Sequence, residues 1–161
     1  MKIILSLLVL FLLAAIIFFC YRKFRSFRLK RQQRRYEIVV TEALQDSLGK
    51  VSVAGFNGKK VALDQIAVAQ VAKAWGLNVV VFGYSFPVQE LDKKQVRQVK
   101  EALSEQLKIF AQQHSLNSPE EPSSLVISDI WQRDLVLNVE VAYLINEQTK
   151  GYLRDVEKLD H

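Results

Sequence analysis

Leu135 to Ile145, LVLNVEVAYLI, puts an apolar side chain at every second position: Leu135, Leu137, Val139, Val141, Tyr143 and Ile145. Successive side chains of an extended chain point to opposite faces, so this alternation predicts a strand with one buried face. The other face is partly polar (Asn138, Glu140), as in an antiparallel sheet with one wetted side. Just upstream, Leu125–Trp131 reads as a second strand. The turn between the two falls near Gln132-Arg133-Asp134, where Asp suits turn geometry. Downstream, Asn146–Gly151 reads as a turn and Tyr152–Val156 as a returning edge strand. The expectation for the C-terminal part is a β-meander.

Residues 116–124 (LNSPEEPSS) form a loop with two prolines. Before it, Asp92 begins a long helix reaching about His114. Gln95 stands three residues on, as a capping box requires, and Leu91 and Val96 are placed to form a hydrophobic staple. The buried stripe of this helix is Val96, Val99, Leu103, Leu107 and Phe110, and the opposite face is charged. Leu77–Phe86 reads as a strand with Val80, Phe82, Tyr84 and Phe86 on one face, ended by Pro87. A shorter helix is expected from Asp64 to about Trp75, apolar nearly all round and so buried, with Gly76 just past its end. Asn57-Gly58, between alternating apolar segments, is a two-residue turn signal, because a type I′ turn needs positive φ at both central residues. It predicts a hairpin over 51–55 and 60–63. Gly58-Lys59 is not a phosphate-binding loop: that motif needs a Gly where Val53 stands and a Ser or Thr where Lys60 stands.

These elements add up to an α+β fold: an N-terminal transmembrane helix, then helices packed on one face of a mainly antiparallel sheet with a C-terminal β-meander. Long helices followed by long curved strands also suit a cone-shaped, NTF2-like arrangement, at the level of fold analogy alone.

The N-terminus reads differently. Ile3–Phe19, IILSLLVLFLLAAIIFF, carries no charge. About 18–20 apolar residues at 1.5 Å rise cross a hydrocarbon core of about 30 Å. The run ends in Phe18-Phe19-Cys20-Tyr21-Arg22, too bulky for a signal-peptidase site, so an uncleaved signal anchor is expected. Arg22, Lys23, Arg25, Arg28, Lys30, Arg31, Arg34 and Arg35 follow, against Lys2 alone before the run. Lys and Arg are retained on the cytoplasmic side, which predicts a single-pass membrane protein, N-out and C-in, in the plasma membrane if the cell is bacterial. The same cations would snorkel to lipid phosphates and fix topology. Phe24, Phe27 and Leu29 interleave with them, as on an interfacial helix. No Gly or Pro occurs before Gly49, so one helix can run from the membrane through the collar to Leu48. The expected organisation is an anchor over 1–21, a basic juxtamembrane collar over 22–35 and a soluble α+β domain over 36–161.

Charge supports this division. All 17 acidic residues lie at or beyond Glu37, while nine of the 22 Lys and Arg lie at or before Arg35. The domain therefore holds 13 cations against 17 acids and is net acidic. The overall charge of +5 belongs to the collar, and nucleic acid is not the expected partner. The single cysteine, Cys20, rules out an intramolecular disulfide.

Chemistry-bearing residues are few. His114 ends a helix and His161 is the last residue, so a Ser–His–Asp or Cys–His site has little to draw on. Without Cys-x-x-Cys or His-x-x-x-His spacing, no metal site is expected, and no cofactor motif is present. Asp129 and Glu140 are the weak catalytic candidates. On one face and opposite each other they would make a carboxylate pair able to do acid–base work. A solvated sheet face or turn is the more common explanation for such residues. Trp75, Tyr84 and Trp131 could line a ligand pocket, although large aromatics are commonly core.

The reading that follows is a membrane-anchored adaptor or assembly subunit whose cytoplasmic domain docks a membrane-associated protein. The alternative is a tethered small-ligand-binding domain or enzyme, with its pocket between the 93–114 helix and the sheet.

Overall fold

Two helices cover one face of a four-stranded antiparallel sheet and a third covers part of the other, in a computed structural model that describes residues 2–70, 79–116 and 123–159. Within these, the side chains at 2–10, 12–15 and a few scattered positions lie outside the description. The chain divides into two units, Met1–Arg34 and Arg35–His161.

Helix α1 spans Lys2–Leu48 and ends where Gly49 follows. Among the described residues no helix is long and apolar enough to cross a membrane. The span expected over Ile3–Phe19 falls mostly on side chains outside the described residues. In the second unit, Val40, Ala43, Leu44, Ser47 and Leu48 bury one face of α1. Its Thr41 Oγ1 shares a hydrogen bond of 3.1 Å with the Tyr84 hydroxyl, and Tyr36 meets Tyr143 edge to face.

After α1, β1 (Ser52–Val53) and β2 (Phe56–Asn57) form a tight hairpin whose turn is Ala54-Gly55, with Gly55 at φ +80°. The turn expected at Asn57-Gly58 is corrected: Asn57 instead caps a 3-10 turn over Gly58–Lys60, its Oδ1 accepting from the Lys59 N–H at 3.1 Å. Gly58 is required for a different reason. A Cβ there would lie 1.9 Å from the Leu48 carbonyl oxygen.

The helix expected from Asp64 is also corrected. Leu63–Gln65 make one 3-10 turn and Ala67–Gln70 is strand β3. Residues 71–78, with Trp75 and Gly76, lie outside the described residues. An apolar run without a 3.6-residue stripe fits either element, and pairing along β4 (Val81–Pro87) decides it: Ala67 opposes Ser85, and Gln70 opposes Phe82. Nor is this segment buried, since Ala67, Val68 and Ala69 are exposed.

The sheet order is β3-β4-β6-β5, with β5 at Leu125–Arg133 and β6 at Val136–Tyr143. The alternation along 135–145 holds through its middle: Leu137, Val139 and Val141 are fully buried and Tyr143 nearly so, while Leu135 and Ile145 lie outside the strand and are exposed. Asp134 makes the β5–β6 turn at φ +55°. Helix α2 (Lys93–Gln113) starts at the expected capping box, with Asp92 Oδ1 accepting from Gln95 N–H at 2.7 Å and Gln95 Oε1 accepting from Asp92 N–H at 2.8 Å. Its Val99, Leu103 and Leu107 reach zero exposure against the sheet.

The C-terminal segment is the largest correction. No third meander strand forms at 152–156; Glu147–Leu159 is helix α3. Asn146 Oδ1 accepts from the Thr149 N–H at 2.8 Å, as a helix-capping side chain does. Gly151 within the helix costs about 1 kcal/mol relative to Ala, which is why the segment reads as a turn. Tyr152, Leu153 and Val156 pack on Val81, Ala142 and Leu144. The strand residues Val81 and Ala142 face away from Phe82, Tyr84 and Val141, so helices cover both faces, not the single face expected.

Candidate functional site

The β5–β6 hairpin carries the most chemically suggestive cluster. Ile127 pairs with Val141, but the next pair is Asp129 with Glu140. Ser128 is therefore the extra residue of a β-bulge, and it donates a hydrogen bond to the Glu140 carbonyl at 3.3 Å. The bulge shifts the phase of β5 by one residue. Without it, Ser128 would oppose Glu140 and Asp129 would oppose the buried Val139. With it, Ile130 packs against the main core, while Asp129 and Trp131 share the outer face with Glu140 and Asn138. The signal was in the sequence: core-facing Leu125, Ile127 and Ile130 are spaced two and then three residues apart.

Asp129 and Glu140 are thus cross-strand neighbours, the condition for a carboxylate pair. The Tyr152 hydroxyl of α3 donates to Glu140 Oε2 at 3.3 Å. Burial pushes the Glu140 carboxyl above its ordinary range; the Tyr152 hydrogen bond opposes this and the Asp129 charge adds to it. Tyr152 is pushed up to about 12, first by burial and then by the Glu140 charge beside it. Tyr152 has no recognisable signal in the sequence, because its role depends on α3 being a helix. The trio could hold and pass a proton. A paired sheet face with a helix packed over it accounts for its geometry. Among the described residues no group of three His, Cys, Asp or Glu is arranged to hold a metal ion.

The aromatic candidates do not converge. Tyr84 has zero exposure in the α1–sheet core, where burial raises its phenol pKa. Trp131 lies on the opposite face of the sheet, 39% exposed. Trp75 lies outside the described residues. Val99, Leu103 and Leu107 fill the centre of the α2–sheet interface, and clefts open at its edge and elsewhere. One of about 490 Å³ lies between the 52–61 hairpin and Pro87–Gln89, with Lys60 as its only charged lining residue. A second, of about 450 Å³, runs between α2 and β5.

In the first unit, Phe11 and Ile16–Phe19 present exposed side chains on α1, followed by exposed Arg22, Lys23, Arg28, Arg31 and Arg34. The Arg28 guanidinium lies 5.9 Å from the Phe24 ring centroid. Arg35, in the second unit, is exposed too, and the side chains of Arg25 and Lys30 lie outside the described residues. His114 caps α2, with its ring stacked 3.9 Å from that of Phe110. No protein-family model, curated relative or solved structure matches the chain.

Proposed function

We propose that this chain is a single-pass membrane-anchored adaptor, with N-out, C-in topology, whose 36–161 domain docks a protein partner at the membrane. The observation that carries the reading is the exposed apolar surface of α1. Phe11, Ile16, Ile17, Phe18 and Phe19 are each more than half exposed. Each would gain about 1.5–3 kcal/mol on transfer from water to an apolar medium, and lipid is the apolar medium a cationic collar directly follows. Aromatic and cationic residues alternating from Tyr21 to Arg28 suit the headgroup layer. The sparse chemistry of the domain favours docking over catalysis.

The test is a tag at residue 161 in sealed native membrane vesicles of known sidedness, combined with crosslinking of the full chain. The expected result is a chain that resists carbonate extraction, a tag cleaved only from the cytoplasmic side, and one stoichiometric membrane-associated partner. Release by carbonate would refute the anchor. Cleavage from the opposite side would refute the topology, and a correctly oriented chain with no partner would refute the adaptor role.

A further inference from the structure

The basic stretch of α1 has a regularity that membrane topology alone does not require. Arg22, Arg25, Arg28, Arg31 and Arg34 recur at every third residue, and α1 is helical throughout this stretch. At about 100° per residue, each step of three carries the next arginine about 60° back around the helix axis. The arginine positions therefore wind through about 240°, and Lys23 stands in the remaining arc, so no sector wider than about 100° lacks a cation. Retention on the cytoplasmic side asks only for positive charge, which Lys supplies as well as Arg and which one face of a helix could carry.

This charge is not neutralised locally. Arg22, Arg28, Arg31 and Arg34 are exposed, and none has a carboxylate within ion-pair distance among the described residues. No acidic residue precedes Glu37.

Three features select the partner. A docked protein or nucleic-acid duplex meets one side of a helix, whereas the lipids of a leaflet surround it, and the spiral offers charge in every direction. Tyr21, Phe24 and Phe27 are each more than half exposed between the cations, and aromatic rings of this kind belong at the headgroup level. The cations are mostly Arg, whose planar guanidinium forks onto phosphate oxygens where Lys offers only a point charge. The dimensions agree. Arg31 lies about 14 Å beyond Arg22 along the axis. The headgroup layer of one leaflet is about 5–8 Å deep, and the surface field extends about 8–10 Å further. Helical side chains also lean toward the N-terminus, which for an anchored chain is back toward the bilayer.

We infer that this stretch of α1 selects anionic over zwitterionic phospholipids around its whole circumference, gathering them in the leaflet it passes through. The inference rests on the anchor reading above and adds the headgroup class to it.

The test uses the full chain reconstituted in phosphatidylcholine vesicles with trace spin-labelled lipids. Electron spin resonance should show phosphatidylglycerol associating with the protein about fivefold more strongly than phosphatidylcholine, as one cation per lipid contact implies. In about 1 M salt, where the screening length falls to about 3 Å, the preference should largely vanish. Arg22→Gln/Arg25→Gln and Arg28→Gln/Arg31→Gln should each lower it in part, because each pair leaves cations on the other sides. Equal association of the two lipids, a preference that survives high salt, or complete loss in one paired variant with none in the other would overturn the inference. A labelled DNA duplex that binds the vesicles and stays bound when phosphatidylglycerol is included would also overturn it, by making nucleic acid the partner. If the lipids associate equally while the chain still resists carbonate extraction, the inference fails and the anchor reading stands; release by carbonate removes both.

Discussion

Gly58→Ala tests the hairpin correction directly. The added Cβ would sit 1.9 Å from the Leu48 carbonyl oxygen, 2.8 Å from its carbon and 3.2 Å from the Val51 oxygen. All three are backbone atoms, and Leu48 is 1% exposed at the buried end of α1, so no flexible side chain can move aside. Relief must come from backbone separation. That also breaks the 2.9 Å hydrogen bond from Gly58 N–H to Val51 O. Overpacking of this kind costs about 1–3 kcal/mol, and the lost hydrogen bond adds about 1 kcal/mol. For a unit of this size that is a fall of roughly 8–16 °C in Tm, read by near-UV circular dichroism of the full chain in detergent. Gly58→Asn discriminates between the two readings. In a type I′ turn Asn tolerates left-handed backbone and the change would be mild; against the Leu48 carbonyl it should be at least as damaging as Ala. An Asn variant within about 2 °C of the parent would refute the close-approach argument.

Thr149→Val should destabilise by about 1–3 kcal/mol, because the buried Val80 N–H donates to Thr149 Oγ1 at 3.0 Å and would lose its acceptor; denaturant midpoints check this, and an unchanged midpoint would count against the docking of α3. Ser47→Ala should act in the opposite direction. The Ser47 hydroxyl is fully buried with no hydrogen-bond partner among the described residues, so removing it should stabilise by roughly 0.5–1.5 kcal/mol. Glu140 predicts a pH effect. Its carboxyl is raised above 4.5 in the folded chain, so between 4.5 and that higher value the folded state holds more protons, and the Glu140 contribution to stability falls as pH rises. Relative to the parent, Glu140→Gln should gain stability as the pH rises from about 4 to about 7; parallel pH profiles would refute it.

Where local chemistry and tertiary packing agreed, the elements were legible. The Asp92–Gln95 capping box and the apolar stripe behind it specify α2 without help from the rest of the chain, and strict alternation specifies the centre of β6. Misreadings arose where a residue type has two uses. Asn-Gly serves a type I′ turn, but here Asn57 caps a 3-10 turn and Gly58 makes room for a carbonyl, while the positive φ falls on Gly55. Asn146 begins a helix in a segment where Gly151 argued for a turn. Ala67–Gln70 had no period to favour a helix over a strand, and the free edge of β4 settled it.

The outer face of the β5–β6 hairpin shows why a candidate site is harder to read than a fold. Asp129 and Glu140 meet only because Ser128 bulges, and a bulge shifts every later residue of its strand to the other face. One residue thus decides whether Asp129 is buried against Val139 or sits beside Glu140, and whether Ile130 reaches the core. Burying Ile130 while keeping an ionisable carboxylate out of an apolar core favours the bulged register strongly. The bulge is thus accounted for by packing and needs no catalytic role. The same bulge interrupts the regular β5–β6 pairing after Ile127.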